Sequence, residues 1–169
     1  MAEPKFNLKG IIKLIIFLAI LAGIIYAVFM IAIVPKTPAT TEQVWDVLVS
    51  LGYEPKDVTE QQIEQDSSLT KGISVENDNL HFEFYNFDNK NSAINVYSTA
   101  HSLIIRTKMS FPRVEVKTSR ANYTIYSLEA GGEYSVAIYV GTTAVYAYCD
   151  AEHRSEIDKI LVDIGYLKS

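Results

Sequence analysis

The chain has 169 residues and a formal net charge of −5 at pH 7, unevenly placed: residues 39–169 hold 11 Lys/Arg against 19 Asp/Glu. An acidic body excludes nucleic acid, which needs a basic face, and argues against adhesion to anionic lipid headgroups. The single cysteine, Cys149, excludes a disulfide-stapled fold, so about 130 residues must rely on one packed core, an ordinary single-domain size.

The first element is an uncharged apolar run over residues 14–34. A helix of that length rises about 30 Å, the thickness of a bilayer's hydrocarbon core. The run therefore predicts a single transmembrane helix with the lipid bilayer as its partner. Lys5, Lys9 and Lys13 precede it, so residues 1–13 read as a cytoplasmic tail and the C-terminal body as lying outside the cell membrane. Val34-Pro35-Lys36-Thr37-Pro38-Ala39 offers no small-residue cleavage site, which favours an uncleaved signal anchor. Ala19, Gly23 and Ala27 recur every four residues, a candidate packing face for a homodimer through the helix.

Residues 35–40 carry two prolines and read as a short stiff linker. Residues 41–169 then form the folded body. Thr40 and Gln43 have capping-box spacing, and Val44, Val47, Leu48 and Leu51 make a helical stripe that stops at Gly52. Thr59 and Gln62 repeat the capping spacing for a second, short helix. Strands are predicted over about 70–76 and 80–87, with Phe82 and Phe84 on one face and His81, Glu83 and Tyr85 on the other. Asp88 or Asn89 opens a helix to about Thr107, with Ala93, Val96, Tyr97, Ala100 and Ile104 as its buried stripe. A short strand near Val114–Thr118 precedes a meander over about 121–129, 134–140 and 144–149. A last helix follows Asp150, and its stripe (Ile157, Ile160, Leu161, Ile164, then Gly165-Tyr166) nearly copies the first soluble helix. Internal duplication and convergence on one amphipathic pattern are both open. The prediction is an α+β fold: one antiparallel sheet of about five strands, with helices packed on one face.

If helices cover only one face, the other is an open sheet bearing tyrosines. Tyr126, Tyr139, Tyr146 and Tyr148 are then the candidate binding surface, since tyrosine gives large contact area at low entropic cost. His81, His101 and His153 have no partner at metal-ligand spacing, and no cofactor motif, P-loop or nucleophile elbow is present. Glu76-Asn77-Asp78-Asn79 is oxygen-rich but lacks the alternation of a calcium loop. Cys149 reads as a small buried residue rather than a nucleophile.

Three strings carry a resemblance: Leu51-Gly52-Tyr53-Glu54-Pro55-Lys56-Asp57-Val58-Thr59, Phe82-Glu83-Phe84-Tyr85 and Ile164-Gly165-Tyr166. They are similar to small membrane-anchored proteins of Gram-positive bacteria, over about residues 41–169. The resemblance implies an extracytoplasmic bacterial domain and carries over no catalytic, cofactor or metal-binding residue. The expected function is a non-enzymatic binding or interaction domain for an envelope protein or a small ligand. The alternatives are an envelope hydrolase assembled from distant residues, such as His81 or His101 with an acid, and a structural subunit of a membrane complex.

Overall fold

The computed structural model describes residues 8–32, 34–64, 66–107 and 112–168. Two compact units are present, residues 1–34 and 35–169. The first contains helix α1 (Leu8–Ala32).

The second unit is built on a seven-stranded antiparallel sheet. Helix α2 (Thr41–Ser50) leads into β1 (Lys56–Asp57), the short α3 (Thr59–Ile63), β2 (Leu69–Glu76) and β3 (Leu80–Phe87). Helix α4 (Lys90–Thr107) then crosses the sheet, and the chain returns by the meander β4 (Arg113–Arg120), β5 (Tyr123–Ala130), β6 (Glu133–Val140) and β7 (Thr143–Asp150). A 3₁₀ turn over Ala151–His153 leads into α5 (Arg154–Asp163). The spatial order is β1-β2-β3-β7-β6-β5-β4, so β7 closes against β3 at the centre.

Local chemistry sets the helix ends. The Thr40 hydroxyl accepts a hydrogen bond from the Gln43 amide at 3.2 Å, satisfying one orphan donor of α2. The α4 start is capped by Asn89, whose side-chain oxygen accepts from the Ser92 amide at 3.0 Å. Gly52 and Gly165 end α2 and α5 with φ of 86° and 81°. The following amides then fold back, Tyr53 onto the Leu48 carbonyl and Tyr166 onto the Leu161 carbonyl.

One sheet face is covered by α2 and α5, whose Val44, Leu48, Ile157, Ile160 and Leu161 share a core with the inward residues of β2, β3, β6 and β7. Phe82, Phe84 and Ile138 in that core are wholly buried, each worth about 1.5–3 kcal/mol against exposure. The opposite face is covered by α4, which packs Tyr97, Ala100 and Ile104 on Tyr126, Leu128 and Ala137. A smaller cluster at its N-terminal end joins Ala93 to Tyr85, Phe87 and Leu69.

Residues 35–40 lie on the domain that they precede. Lys36 exchanges two hydrogen bonds with the Asn122 side chain, at 3.2 and 2.7 Å. The Ala39 amide donates to the buried Tyr166 hydroxyl at 3.0 Å, and that hydroxyl in turn meets Thr143. Pro38 packs so closely on Gly141 that a Cβ there would fall 2.6 Å from the proline ring.

Three expectations are corrected. The sheet has seven strands, not about five: β1 is two residues long and is defined by its pairing with Ser74 and Ile73, and β4 is a full eight-residue strand. Helices cover both faces, because the β3–α4–β4 crossover lays α4 on the side opposite α2 and α5. Finally, among the described residues no helix is long and apolar enough to cross a membrane. Lys9 and Lys13 lie inside α1 rather than outside it. The transmembrane helix over 14–34, the single-pass signal anchor, and the placing of a cytoplasmic tail and an outer domain at the cell membrane are all corrected on that finding. Ala19, Gly23 and Ala27 fall on α1, with open space above Gly23.

Candidate functional site

The face under α4 carries the polar and aromatic groups that the sequence alternation put together on β3 and β7. Helix α4 covers only part of it. Beside α4 a pocket of about 410 Å³ opens against β3 and the α3–β2 connection. Its walls are apolar, from Leu69, Phe87, Val96 and Leu103, with the rings of Tyr85 and Tyr146. Two carboxylates, Glu83 and Asp66, also line it, and among the lining residues there is no lysine or arginine.

Both acids are fixed by local structure. Asp66 accepts hydrogen bonds from the Ser68 amide and hydroxyl at 2.9 and 2.7 Å, which holds its carboxyl below the usual carboxylate range. The Ser68 hydroxyl also meets Ser92 at 2.6 Å, tying this loop to the first turn of α4. Glu83 lies between Tyr85 and His81 on β3, with its Oε1 3.0 Å from His81 Nε2. Burial pushes the Tyr85 phenol up, and the Glu83 charge adds to it. Burial likewise lifts Tyr146 to about 12, with help from the charges of Tyr148 and Glu83. Both phenols are therefore neutral hydrogen-bonding groups.

His81 is the hinge of this polar strip. Its Nδ1 meets Glu76 and its Nε2 meets Glu83, so both ring nitrogens face a carboxylate. Its ring stacks on Tyr148, with centroids 4.7 Å apart and planes 17° apart, and tilts against Tyr146 at 6.0 Å. Burial pulls the imidazole pKa down, but the hydrogen bonds and charges of Glu83 and Glu76 outweigh it and leave the pKa raised.

The four tyrosines read as one surface divide into two pairs. Tyr126 is wholly buried beneath α4, with His101 edge-on at 4.3 Å. Tyr139 is half-buried beside Tyr97 at 5.4 Å, with Lys90 over its ring. Tyr146 and Tyr148 stay half-exposed on the strip beside the pocket. The histidines do not converge. His81 sits on β3, His101 on α4 and His153 before α5, where it meets Glu156 at 2.8 Å. Cys149 is buried on the α2/α5 face, and burial raises its thiol to about 11. Asn77 closes the β2–β3 turn by accepting from the Asn79 and Leu80 amides, both at 2.9 Å. Among the described residues, no group of His, Cys, Asp and Glu is placed to hold a metal.

Glu83 and Asp66 were not singled out by sequence reasoning. The signal for Glu83 was present, since alternation puts it on the face of His81 and Tyr85. Asp66 carried none, because its place depends on where α4 lies.

No protein family model and no curated protein matches the chain. A solved structure similar to it is the crystal structure of a GTP binding regulator from Thermotoga maritima, at 11% identity and a TM-score of 0.46, covering 80% of this chain and 94% of that one. A likeness at this level carries no argument about fold or ligand.

Proposed function

We propose that the domain over residues 35–169 is a non-enzymatic binding module, and that its pocket takes a small ligand with an apolar body and a positively charged group. The observation behind this reading is the pocket itself: apolar walls, three aromatic rings, two carboxylates and no basic side chain among its lining residues. A volume of about 410 Å³ lies within the ordinary range of small-molecule sites, roughly 300–1,000 Å³. Tyrosine faces and carboxylates together favour an ammonium or guanidinium group over an anion.

The hydrolase alternative has weaker support. His81 does not line the pocket, and both of its ring nitrogens are engaged by carboxylates. General-base catalysis needs a free imidazole nitrogen within reach of the proton it takes.

The test is amide-resolved NMR titration of the full chain with three probes of one shape: phenethylamine, phenethyl alcohol and 3-phenylpropionate. The amine should shift amides of β3 and α4 around Tyr85 and Val96, and the carboxylate should not. Glu83→Gln should weaken amine binding about tenfold, the loss of one charge-assisted contact. No shift with any probe would remove the pocket as a ligand site.

A further inference from the structure

The sheet has one long free edge. Among the described residues β4 pairs only with β5, leaving one side of an eight-residue strand unpaired. The two-residue turn Ala121-Asn122 makes Arg120 and Tyr123 the closing hydrogen-bonded pair. By alternation, Val114, Val116, Thr118 and Arg120 direct their backbone groups to β5. Arg113, Glu115, Lys117 and Ser119 direct theirs outward. Free edges of this kind are templates for another strand, and proteins that avoid such pairing blunt them. This edge has no proline, and its side chains include Val114 and Val116, exposed at 58% and 52%.

We infer that β4 is the interface of a symmetric dimer, pairing antiparallel with β4 of a second copy about a two-fold axis at Val116. The charge pattern of the strand selects this partner and this register. A two-fold axis normal to the sheet keeps like faces together, so odd residues must oppose odd residues and even oppose even. Centring the pair on Val116 sets Glu115 opposite Lys117 of the other copy, twice, and Arg113 opposite Ser119. Val114 then meets Thr118, and Val116 meets itself. A shift by one step either way centres the pair on Glu115 or Lys117 and brings like charges face to face, which is destabilising. The outward residues then form the hydrogen-bonded pairs, and Val116 falls at a non-hydrogen-bonded pair, where side chains approach most closely. Glu115 meets Arg113 of its own strand, whereas Lys117 has no ion pair among the described residues. The interface thus supplies Lys117 with a partner. It joins two seven-stranded sheets into one and leaves both pockets open, because they lie beside β3, on the far side of the sheet from β4.

The test reads register directly, in the full chain under mild oxidation. Val116→Cys should give a disulfide-linked dimer at least tenfold faster than Val114→Cys, because only position 116 opposes itself. The native Cys149 is buried and does not compete. Adding Glu115→Lys to the Val116→Cys chain sets two lysines opposed on each side and should slow cross-linking about tenfold. Adding Glu115→Lys with Lys117→Glu restores complementarity and should return the rate to within about threefold. Lys117→Pro removes an outward N–H that the β4–β5 ladder does not use. It should abolish cross-linking with an unchanged circular-dichroism spectrum. Equal rates for the 114 and 116 variants, or a rate indifferent to Glu115→Lys, would overturn the inference.

Discussion

His81 and His101 show how two like residues acquire opposite roles from their neighbours. The imidazole of His81 is held between Glu76 and Glu83, and its folded pKa is raised above the ordinary value of 6.5. Its stabilising contribution is full below about pH 6.5 and is lost as pH rises through the raised folded value. Burial against Tyr97 and Tyr126, with Lys117 nearby, lowers the pKa of His101. Its contribution is present above about pH 6.5 and is lost as pH falls through the lowered value. The two windows therefore lie on opposite sides of 6.5, and stability should peak between them. Urea midpoints measured across that range should fall on both sides. His81→Phe should flatten the alkaline limb and leave the acid limb in place. A variant that kept the alkaline slope would show that another group sets it.

At the scale of elements, what decides the fold is how closely α4 can approach the sheet. Strand β6 offers it Ser135 and Ala137, small residues buried between larger neighbours. Ala137 is opposite Tyr126 on β5 and Tyr146 on β7, so the two tyrosines flank a trough in which α4 lies. Ala137→Leu fills that trough. Overpacking of a closed site typically costs about 1–3 kcal/mol, and a lowered urea midpoint would measure it. Val114→Leu, on the exposed edge, should stay within about 0.5 kcal/mol of the parent. Much of this level was legible in the sequence. The alternation of Phe82 and Phe84 against His81, Glu83 and Tyr85 marked both faces of β3, and the stripe Ala93, Val96, Tyr97, Ala100 and Ile104 marked α4 as amphipathic. The face on which α4 would lie was not legible, because an amphipathic stripe records that a helix packs, not where. The small residues of β6 were the unread clue: an open face has no need for Ser135 and Ala137 beneath it. Strand β1 was invisible for a different reason, since two residues hold no period and exist as a strand only through Ser74 and Ile73. The site divides the same way, with Glu83 readable from alternation and Asp66 dependent on tertiary placement.

For the domain over 35–169, the topology sets a gradient of stability from the middle of the sheet outward. Strands β3, β7 and β6 are central, paired on both sides and covered on both faces, by α4 on one and by α2 and α5 on the other. At one margin β1 is two exposed residues, and at the other β4 is exposed along most of its length. Local opening costs least where few buried apolar contacts are lost, and approaches the global unfolding free energy in the core. The strap over residues 35–40 is held firmly although it has no regular secondary structure. Ala39 is buried, its amide is bonded to Tyr166, and Tyr166 reaches Thr143 at the head of β7. The strap thus belongs to the central layer. Amide exchange of the full chain should accordingly be slowest in β3, β6 and β7, with the Ala39 amide protected alongside them. The outward amides of Arg113, Glu115, Lys117 and Ser119 on β4 should exchange at least a hundredfold faster in dilute monomer. Raising the concentration should slow those four and leave Val114, Val116 and Thr118, bonded within the monomer, nearly unchanged. Protection spread evenly along β4 would mean that the strand is ordered by something other than a second edge.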